Sequence, residues 1–597
     1  MDVIARNKTI FRSLCLLLAA FSALTLCSCT GGGGTETGEP EPGTTSAQAE
    51  TDAYAAAPFT AVENGEVVCK VVRGIDASDA EIDAAVAIRK ALLAACPNSK
   101  VEITDDVTAK TSGGRMIIVG RTELPETAAA LETIGYGDAV IRPMGESLIV
   151  LSMTDSGMSH LGSKAAELLS KLDQTGSVVI GEEDAYTKRV SAELAALPTY
   201  PAIPDKIIAC NNRAYEVYFQ YAKADVFDSY IEKLRSSGFS EVSDRRVGDN
   251  RFTVFTGNGS AVTAYYTASN KAARVIVEPD GNLFPSESES KPAVTTPLLT
   301  MIGRRYTNGN TYLDTPADTG LMCFLLRLSD GRFIVIDGGV SDGVSSYSAA
   351  LYAKMLEQAP DPKNIEIAAW IFTHSHSDHV GGFVSFAATY ASHVKLGCVI
   401  SNFPSEAEFN SAGESLNDYN RWKGALGSFI SLKQYKAHTG QRLNIGDATV
   451  EFLYTHEDFV TKTRSVGTVK NNWNNSSLIF SLEIAGQKIM FTGDSQEIPN
   501  NLTASIYGDY LKSDILQVCH HGGVGGTNQI YNRIDPEIAL FTTSDELLPV
   551  YVSKWSYNYH LVNELHVKEY FNSADRITTF ALPYHAKSSG FIKTTVN

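Results

Sequence analysis

The sequence predicts an α/β protein with several domains, and three observations support this prediction. The chain has 597 residues, which is too many for one hydrophobic core of ordinary size. Segments with strand-like patterns alternate with segments of helical periodicity along most of the chain. Two breaks divide them, the proline cluster Pro198–Pro204 and the polar, proline-bounded stretch Pro285–Pro292. We therefore expect a first α/β domain at 58–200, a second small domain with its linker at 201–292, and a C-terminal domain at 293–597.

Residues 1–28 have the plan of a secretion signal. A basic start is followed by the apolar run Ser13–Leu26, which is too short for a comfortable membrane span. The residues that lead to Cys29 resemble the lipobox of bacterial lipoproteins, in which the final cysteine is lipidated. That resemblance implies lipidation of Cys29, a flexible tether at 29–57 and a protein anchored at the extracellular face of the cell membrane. The alternatives are an ordinary cleaved signal and an N-terminal anchor helix.

The composition excludes several classes of protein. The formal net charge is −18, and an acidic surface repels polyphosphate chains, so long nucleic acid is not an expected partner. A mean hydropathy of −0.08 excludes a polytopic membrane protein. The cysteines after Cys29 are thinly spread and lack CxxC spacing, so a disulfide scaffold is not indicated. A small anionic substrate remains compatible with the acidic surface, because bound metal cations would dominate the field inside a pocket.

The first two domains are predicted from short periodic segments. Ala80–Ala95 has helical periodicity, whereas Arg115–Gly120 and Leu148–Leu151 have the pattern of short buried strands. In the second domain a helix is expected at Val226–Ser236. Consecutive strands joined by Gly/Asn turns are expected at Phe252–Thr256, Ala261–Thr267 and Ala273–Val277. Neither domain contains a recognisable catalytic constellation, so the chemistry is expected in the third domain.

A dense run of potential metal ligands follows an apolar predicted strand in the third domain. The run Thr373–Gly382 reads THSHSDHVGG. Since His374 and His376 are two positions apart, both imidazoles face the same side of an extended segment. Asp378 and His379 follow where the chain turns, and the two glycines are expected to give the turn a permissive backbone. Four strong ligands within six residues crowd one tetrahedral ion, but they can be divided between two neighbouring ions.

Two later segments contain further candidate ligands. An apolar predicted strand ends in Gly-Asp at Asp494, and the strand-like run Asp514–Val518 leads to His520 and His521. The segment that begins at Asn474 precedes the Gly-Asp strand.

The histidine-rich run matches the HxHxDH motif of the metallo-β-lactamase superfamily, and residues 293–597 resemble that family in the order of the later segments. The resemblance implies a C-terminal αββα sandwich with two divalent metal ions, zinc in the first place and manganese as the alternative. It assigns His374, His376 and Asn474 to one ion and Asp378, His379 and His521 to the other. Asp494 would bridge the two ions, because the family places an acid at this position.

One position departs from the family pattern. The family normally supplies a third histidine where this chain has Asn474, and His456 is an alternative ligand for that place. Asn474, together with the TGD and HHG segments, resembles the branch that contains the hydrolase domain of competence proteins. Phosphorylcholine esterases of the bacterial surface are broader relatives. Asn474 is equally well explained as a turn residue at the start of a strand.

The resemblance implies a hydrolase in which a metal-activated hydroxide attacks the substrate, with Asp378 and His520 in catalytic roles. A phosphoesterase of the phosphodiesterase type is the preferred interpretation, with a small-molecule or cell-envelope substrate. A lactonase or β-lactamase-type hydrolase is the second interpretation. The third is a surface-binding lipoprotein with a degenerate metallo domain. Beyond the substrate, the expected partner is the membrane, through the N-terminal lipid anchor.

Overall fold

The computed structural model contains five β-sheets within its described residues. The described residues are 57–285, 291–304, 321–341, 346–459, 473–574, 576–587 and 592–593. The predicted signal peptide, Cys29, almost all of the predicted tether and residues 286–290 of the predicted linker lie outside them. Among the helices in the described ranges, none is long and apolar enough to cross a membrane.

The first part of the described chain contains nine short strands in two sheets. They are β1 (Phe59–Glu63), β2 (Glu66–Val67), β3 (Lys70–Arg73), β4 (Ile103–Asp105), β5 (Met116–Val119), β6 (Asp138–Met144), β7 (Ser147–Ser152), β8 (Val178–Ile180) and β9 (Tyr186–Arg189). The larger sheet has the order β4-β3-β5-β7-β6-β9, in which β3, β4, β5 and β7 pair in parallel and β6 pairs antiparallel with both β7 and β9. Strands β2, β1 and β8 form the smaller, antiparallel sheet.

The helices of this part are α1 (Asp79–Ala95), α2 (Asp106–Ser112), α3 (Pro125–Leu131), α4 (Asp155–Leu169) and α5 (Ala192–Ala196). Helix α1 begins where the sequence predicts it, because Ser78 and Glu81 form a capping box. The backbone N–H of Glu81 donates to the Ser78 hydroxyl, and the backbone N–H of Ser78 donates to the Glu81 carboxylate at 2.7 Å. Helix α1 and strands β5 and β7 confirm the one helix and the two short buried strands that the sequence predicts here.

The next part is a six-stranded antiparallel sheet with one helix. Its helix α6 spans Ala224–Ser236, and its strands are β10 (Lys206–Ala209), β11 (Tyr215–Phe219), β12 (Ser240–Val247), β13 (Asn250–Gly257), β14 (Ser260–Thr267) and β15 (Ala272–Pro279). Asn258 and Gly259 both have positive φ, as a two-residue hairpin turn between β13 and β14 requires. Apolar side chains of this sheet, such as Val217 and Phe255, share one core with Ile118 and Ile149 of the preceding part. The domain boundary near residue 200 stays a prediction.

Two eight-stranded sheets form the C-terminal part. The first contains β16 (Leu298–Ile302), β17 (Phe324–Arg327), β18 (Phe333–Ile336), β19 (Ile365–Ile371), β20 (Val394–Leu396), β21 (Cys398–Ser401), β22 (Lys433–Lys436) and β30 (Ile577–Ala581). The second contains β23 (Arg442–Ile445), β24 (Ala448–Tyr454), β25 (Ile479–Ile484), β26 (Gln487–Phe491), β27 (Ile515–Gln517), β28 (Ile538–Phe541), β29 (Glu569–Asn572) and β31 (Ile592–Lys593).

Helices cover the outer faces of both sheets, so the C-terminal part is the predicted αββα sandwich. They are α7 (Ser346–Gln358), α8 (Ser377–Tyr390), α9 (Glu406–Ala412), α10 (Asn417–Leu426), α11 (Glu497–Tyr507), α12 (Asn528–Ile534), α13 (Leu548–Tyr551) and α14 (Tyr557–Asn563). Strand β18 is apolar throughout because both of its faces are buried. Ile334 and Ile336 face the core between the sheets, whereas Phe333 and Val335 face the helices on the outer side.

A buried ionic cluster lies between the antiparallel six-stranded sheet and the sandwich. His438 places Nδ1 at 2.7 Å from Glu457 Oε2 and Nε2 at 2.9 Å from Glu278 Oε1. Lys436 Nζ lies 2.7 Å from the other oxygen of Glu457, and all these side chains are buried. Because Glu278 belongs to β15 and the other residues to the sandwich, the cluster joins the two parts electrostatically.

The cluster predicts a pH dependence of stability. Burial opposes the charged form of His438, but Glu457 and Glu278 outweigh burial and raise the pKa of the imidazole to about 9. The folded state therefore holds this proton more tightly than the unfolded state, whose histidine pKa is about 6.5. The resulting stabilisation is complete below the unfolded pKa and is lost as the pH rises through the folded value. The free energy of unfolding should fall by an amount on the order of 3 kcal/mol across this window.

The measurement is urea unfolding at several pH values for the wild type and for His438→Gln. The variant should be less stable at pH 6.5 and should lose the part of the pH dependence that comes from this imidazole. The exposed His566 provides the matched control, since His566→Gln should keep the wild-type profile. An identical pH profile for His438→Gln and the wild type would contradict the assignment.

Candidate metal centre

The loop between β19 and α8 carries the histidine-rich run. Strand β19 ends at Ile371, and His376, whose own backbone is extended, is the N-cap of α8. His374 is completely buried, whereas His376 is partly exposed. Asp378 lies in the first turn of α8, where the helix dipole favours a negative charge. The end of a buried strand and the start of a helix therefore present these side chains to one place.

Four of the predicted ligands form one tight group. Ligand atoms of Asp378, His379, Asp494 and His521 all lie within 4.8 Å of one another. Nε2 of His379 lies 3.2 Å from Asp494 Oδ1, and Nε2 of His521 lies 3.1 Å from Asp494 Oδ2. The same His521 nitrogen lies 3.3 Å from Asp378 Oδ2. Two imidazoles and two carboxylates at these distances are a donor set that suits a divalent ion such as zinc or manganese.

His374 and His376 form a second pair beside this group. Nε2 of His374 lies 3.0 Å from Nδ1 of His376, and 3.9 Å from Asp494 Oδ2. Asp494 is therefore a member of the group of four that also lies near the pair, through His374. This is the position in which a single carboxylate can contact two neighbouring ions.

Within the described residues, the ligand atoms at the centre of this group lack the hydrogen bonds that buried polar atoms normally form. Nε2 of His379, Nε2 of His521 and Oδ1 of Asp494 are buried, yet they form no hydrogen bond within the described part of the chain. Buried polar atoms are normally hydrogen-bonded, and an ion would give all three a partner. The donor set and these atoms together fit a divalent metal ion.

A second layer of polar groups holds the imidazoles by their other nitrogen. Nδ1 of His379 lies 2.7 Å from Oδ2 of Asp337, and Nδ1 of His521 lies 2.7 Å from the Thr542 hydroxyl. The backbone N–H of Asp494 donates to the Ser477 hydroxyl at 3.0 Å. Such contacts fix the tautomer and the orientation of metal-binding imidazoles. The sequence did not identify Asp337 or Thr542 as site residues. For Asp337 the available signal was an acid at a strand end before two glycines.

Asp337 is therefore expected to control metal affinity without contacting the metal. Its buried carboxylate accepts from the Thr373 backbone N–H at 2.8 Å and from the Thr373 hydroxyl at 2.6 Å, in addition to facing His379. In Asp337→Asn an amide N–H₂ would replace one acceptor oxygen, and His379 would lose its orientation. We expect metal affinity to fall by about 10–100-fold. Competition with a chromophoric chelator measures this change, and an unchanged affinity would contradict the role of Asp337.

Carboxylates surround the two imidazoles of the main group. Burial opposes the charged form of His379, but Asp494, Asp337 and Asp378 outweigh it and raise the pKa above its ordinary value. The same balance raises the pKa of His521 to about 9. Burial alone would raise the pKa of Asp494, yet the two imidazoles hold it well below its usual range. Without a metal the group thus binds protons, and metal binding must displace them.

Asn474 and His520 lie next to each other at the rim of the centre. The Asn474 side-chain nitrogen is 3.2 Å from Nε2 of His520, and that imidazole nitrogen is 3.7 Å from Asp494 Oδ2. His520 has a φ of +47°, so the backbone turns sharply between strand β27 and His521. The alternative ligand His456 is buried elsewhere, with Nε2 at 3.0 Å from Asn402 Oδ1, and is not among the grouped residues.

The two glycines after the motif have a different role from the predicted one. Gly381 and Gly382 lie inside α8 and have no positive φ, so the expectation of a permissive turn was wrong. A Cβ on Gly382 would lie 1.8 Å from the carbonyl oxygen of Gly338. The glycines are needed because the segment after β18 crosses the helix in direct backbone contact. That contact brings Asp337 to His379.

The comparison with protein-family models agrees with the fold of the C-terminal part. Residues 320–538 match the family model described as Metallo-beta-lactamase superfamily. The metallo-beta-lactamase fold protein YhfI from Bacillus subtilis is 13% identical, with 41% of this chain and 85% of that chain covered and a TM-score of 0.26. The diiron β-hydroxylase CmlA from Streptomyces venezuelae is 14% identical, with 49% of this chain and 55% of that chain covered and a TM-score of 0.29.

The short form of human tRNase Z is 13% identical, with 46% of this chain and 92% of that chain covered and a TM-score of 0.23. This chain thus spans about half of CmlA but most of the other two proteins. No curated protein matches the sequence.

Proposed function

Because residues 320–538 form a metallo-β-lactamase superfamily domain, we propose that the protein is a metal-dependent phosphodiesterase at the extracellular face of the cell membrane. The observation that carries the proposal is the position of Asp494. Its carboxylate lies within 3.2 Å of both His379 and His521 and within 3.9 Å of His374. An acid shared between two sets of imidazoles is what a centre with two ions requires.

Each ligand has a place in this proposal. His374 and His376 would hold the first ion, and Asp378, His379 and His521 the second, with Asp494 in contact with both. Bound ions would supply Lewis-acid chemistry, since they lower the pKa of water towards about 7 and neutralise charge on a phosphoryl oxygen. Zinc is the first candidate and manganese the second, because imidazole and carboxylate ligands suit both.

The protein's own groups would orient the reactants. The side chain of Asp378 is 31% exposed, so it can accept a hydrogen bond from an attacking water. His520 is partly exposed next to Asp494, and its imidazole would donate a proton to the leaving oxygen. The side chain of Asn474 contacts His520 and would fix the orientation of that imidazole or complete the first metal site.

One feature supports a phosphodiester over a lactone or β-lactam. Asn474, which we assign to the place of the third family histidine, carries an amide that lies beside His520. An amide oxygen is a harder ligand than imidazole and favours a more oxygen-rich site for manganese or a phosphoryl group. The predicted lipidation of Cys29 supports the location, because a lipid tether would hold the enzyme near cell-envelope substrates.

Parallel rate measurements on three compounds test the proposal. The purified protein, loaded with zinc or with manganese, is assayed with bis(p-nitrophenyl) phosphate, a γ-lactone and a chromogenic cephalosporin. We expect hydrolysis of the phosphodiester to be the fastest and to stop after the metals are removed with a chelator. Preferred hydrolysis of the lactone or of the β-lactam would overturn the proposed reaction. No hydrolysis of any compound by the metal-loaded protein would favour a binding role.

A further inference from the structure

Helix α10 lies beside the metal centre and is fixed there by its apolar side chains. It packs against α8, the helix that carries Asp378 and His379. Trp422 contacts Phe372, just before the histidine-rich run, with ring centroids 5.7 Å apart. Tyr419 contacts Phe409, with ring centroids 5.3 Å apart. The buried face of α10 thus holds its first turn in a defined position next to the metal ligands.

The opposite face of this first turn lines an open pocket of about 630 Å³. Its lining residues are all polar: Ser415, Asn417, Asp418, Asn420 and Arg421. Arg421 Nη1 lies 3.6 Å from Asp418 Oδ1, one helical turn away. Tyr419, the neighbour of Asp418, contacts Phe409, whose ring centroid lies 4.3 Å from that of Trp473, the residue before Asn474. The pocket therefore lies close to the rim of the metal centre.

The charges of the pocket limit what it can bind. The guanidinium of Arg421 and the carboxylate of Asp418 compensate each other, so the lining carries no net charge. A lining without net charge gives no net attraction for a second anionic group, and an apolar group would find no aromatic or aliphatic side chain among the lining residues. The lining instead offers donors from guanidinium and amide groups and acceptors from carboxylate, amide and hydroxyl groups. Alternating donors and acceptors of this kind suit the adjacent hydroxyls of a sugar or a glycerol.

We propose that this pocket binds a neutral polyhydroxyl group esterified to the phosphate that lies at the metal centre. The inference rests on the proposed function and adds the substrate class, a phosphodiester of a sugar or of glycerol. Asp418 and Arg421 would bind neighbouring hydroxyls, and Asn417 and Asn420 would add hydrogen bonds from the same helical turn. These residues determine specificity, whereas the metal ligands act on the phosphate.

A matched series of diesters tests the assignment. The p-nitrophenyl phosphodiesters of glycerol, of glucose and of ethanol share one leaving group and differ only in the retained alcohol. The ratio of kcat/KM for a polyol diester to that for the ethyl diester should exceed ten in the wild type. In Arg421→Ala this ratio should fall by about 10–100-fold, the range for hydrogen bonds to charged groups. Comparing the glycerol with the glucose diester shows which polyol is preferred.

Lys423→Ala is the control, because Lys423 lies on the same helix but pairs with Glu406 outside the pocket. It should keep the wild-type ratio. Equal ratios in the wild type and Arg421→Ala would overturn the inference, even if every diester is hydrolysed. If no diester is hydrolysed, the proposed function fails. Calorimetric titration then still shows whether the pocket binds a polyol. Glycerol 1-phosphate should then bind at least ten times more tightly than ethyl phosphate, and only in proteins that retain Arg421.

Discussion

Replacement of Asp494 by alanine is expected to lower kcat/KM for bis(p-nitrophenyl) phosphate by about 10³-fold or more, because several kcal/mol of charge stabilisation depend on the metals. The carboxylate lies 3.2 Å from His379, 3.1 Å from His521 and 3.9 Å from His374. In the variant the two sets of imidazoles lose the acid that they share. The two ions could no longer be held side by side.

The comparison with Asp494→Asn separates the charge of this side chain from its size. The amide keeps the volume and leaves the backbone N–H of residue 494 with its hydrogen bond to Ser477. Its activity should be nearly as low as that of the alanine variant, because a neutral amide does not bridge two cations. Steady-state kinetics with excess zinc or manganese makes the measurement. Retention of activity within tenfold of the wild type in both variants would show that Asp494 does not bridge.

Replacement of Gly382 by alanine should destabilise the C-terminal part by about 3 kcal/mol or more, the upper range for overpacking. The new Cβ would lie 1.8 Å from the carbonyl oxygen of Gly338, and neither backbone can give way cheaply. The N–H of Gly382 donates to the Gly339 carbonyl at 2.8 Å, so a shift of α8 would break this bond too. Since α8 carries Asp378 and His379, metal binding should weaken together with stability.

Gly424→Ala is the matched control for this substitution. Gly424 lies in α10, and a Cβ there would meet no atom within 4 Å. Alanine should stabilise that helix by up to about 1 kcal/mol, because glycine has the lower helix propensity. Chemical unfolding of both variants gives the two free energies. Similar effects of the two substitutions would mean that the backbone contact at Gly382 does not constrain α8.

The sequence predicts well what is local along the chain. Strand periodicity identified β5, β7 and the strand before the histidine-rich run, and the spacing within that run placed His374 and His376 together. Asp337 was missed because its partner His379 is 42 positions away. The two meet only because β18 pairs with β19 in parallel, so that the ends of these strands lie side by side.

Other features depend on packing between distant segments, which a local sequence pattern does not predict. The glycines after the motif suggested a turn, but the close approach of Gly338 explains them better. The polar first turn of α10 carries no strong apolar signal, although Tyr419 and Trp422 fix it beside the metal centre. Similarly, the ionic cluster around His438 joins residues from two predicted domains, which sequence patterns treat separately.

The metal content of the purified protein tests the central claim most directly. The protein is stripped of metal, incubated with excess zinc or manganese, freed of unbound ions and analysed by inductively coupled plasma mass spectrometry. Two ions per chain are predicted, because Asp494 belongs to the group with Asp378, His379 and His521 and also lies near the pair His374 and His376, through His374. Fewer than about one ion per chain with either metal would contradict a metal-dependent hydrolytic centre with two ions.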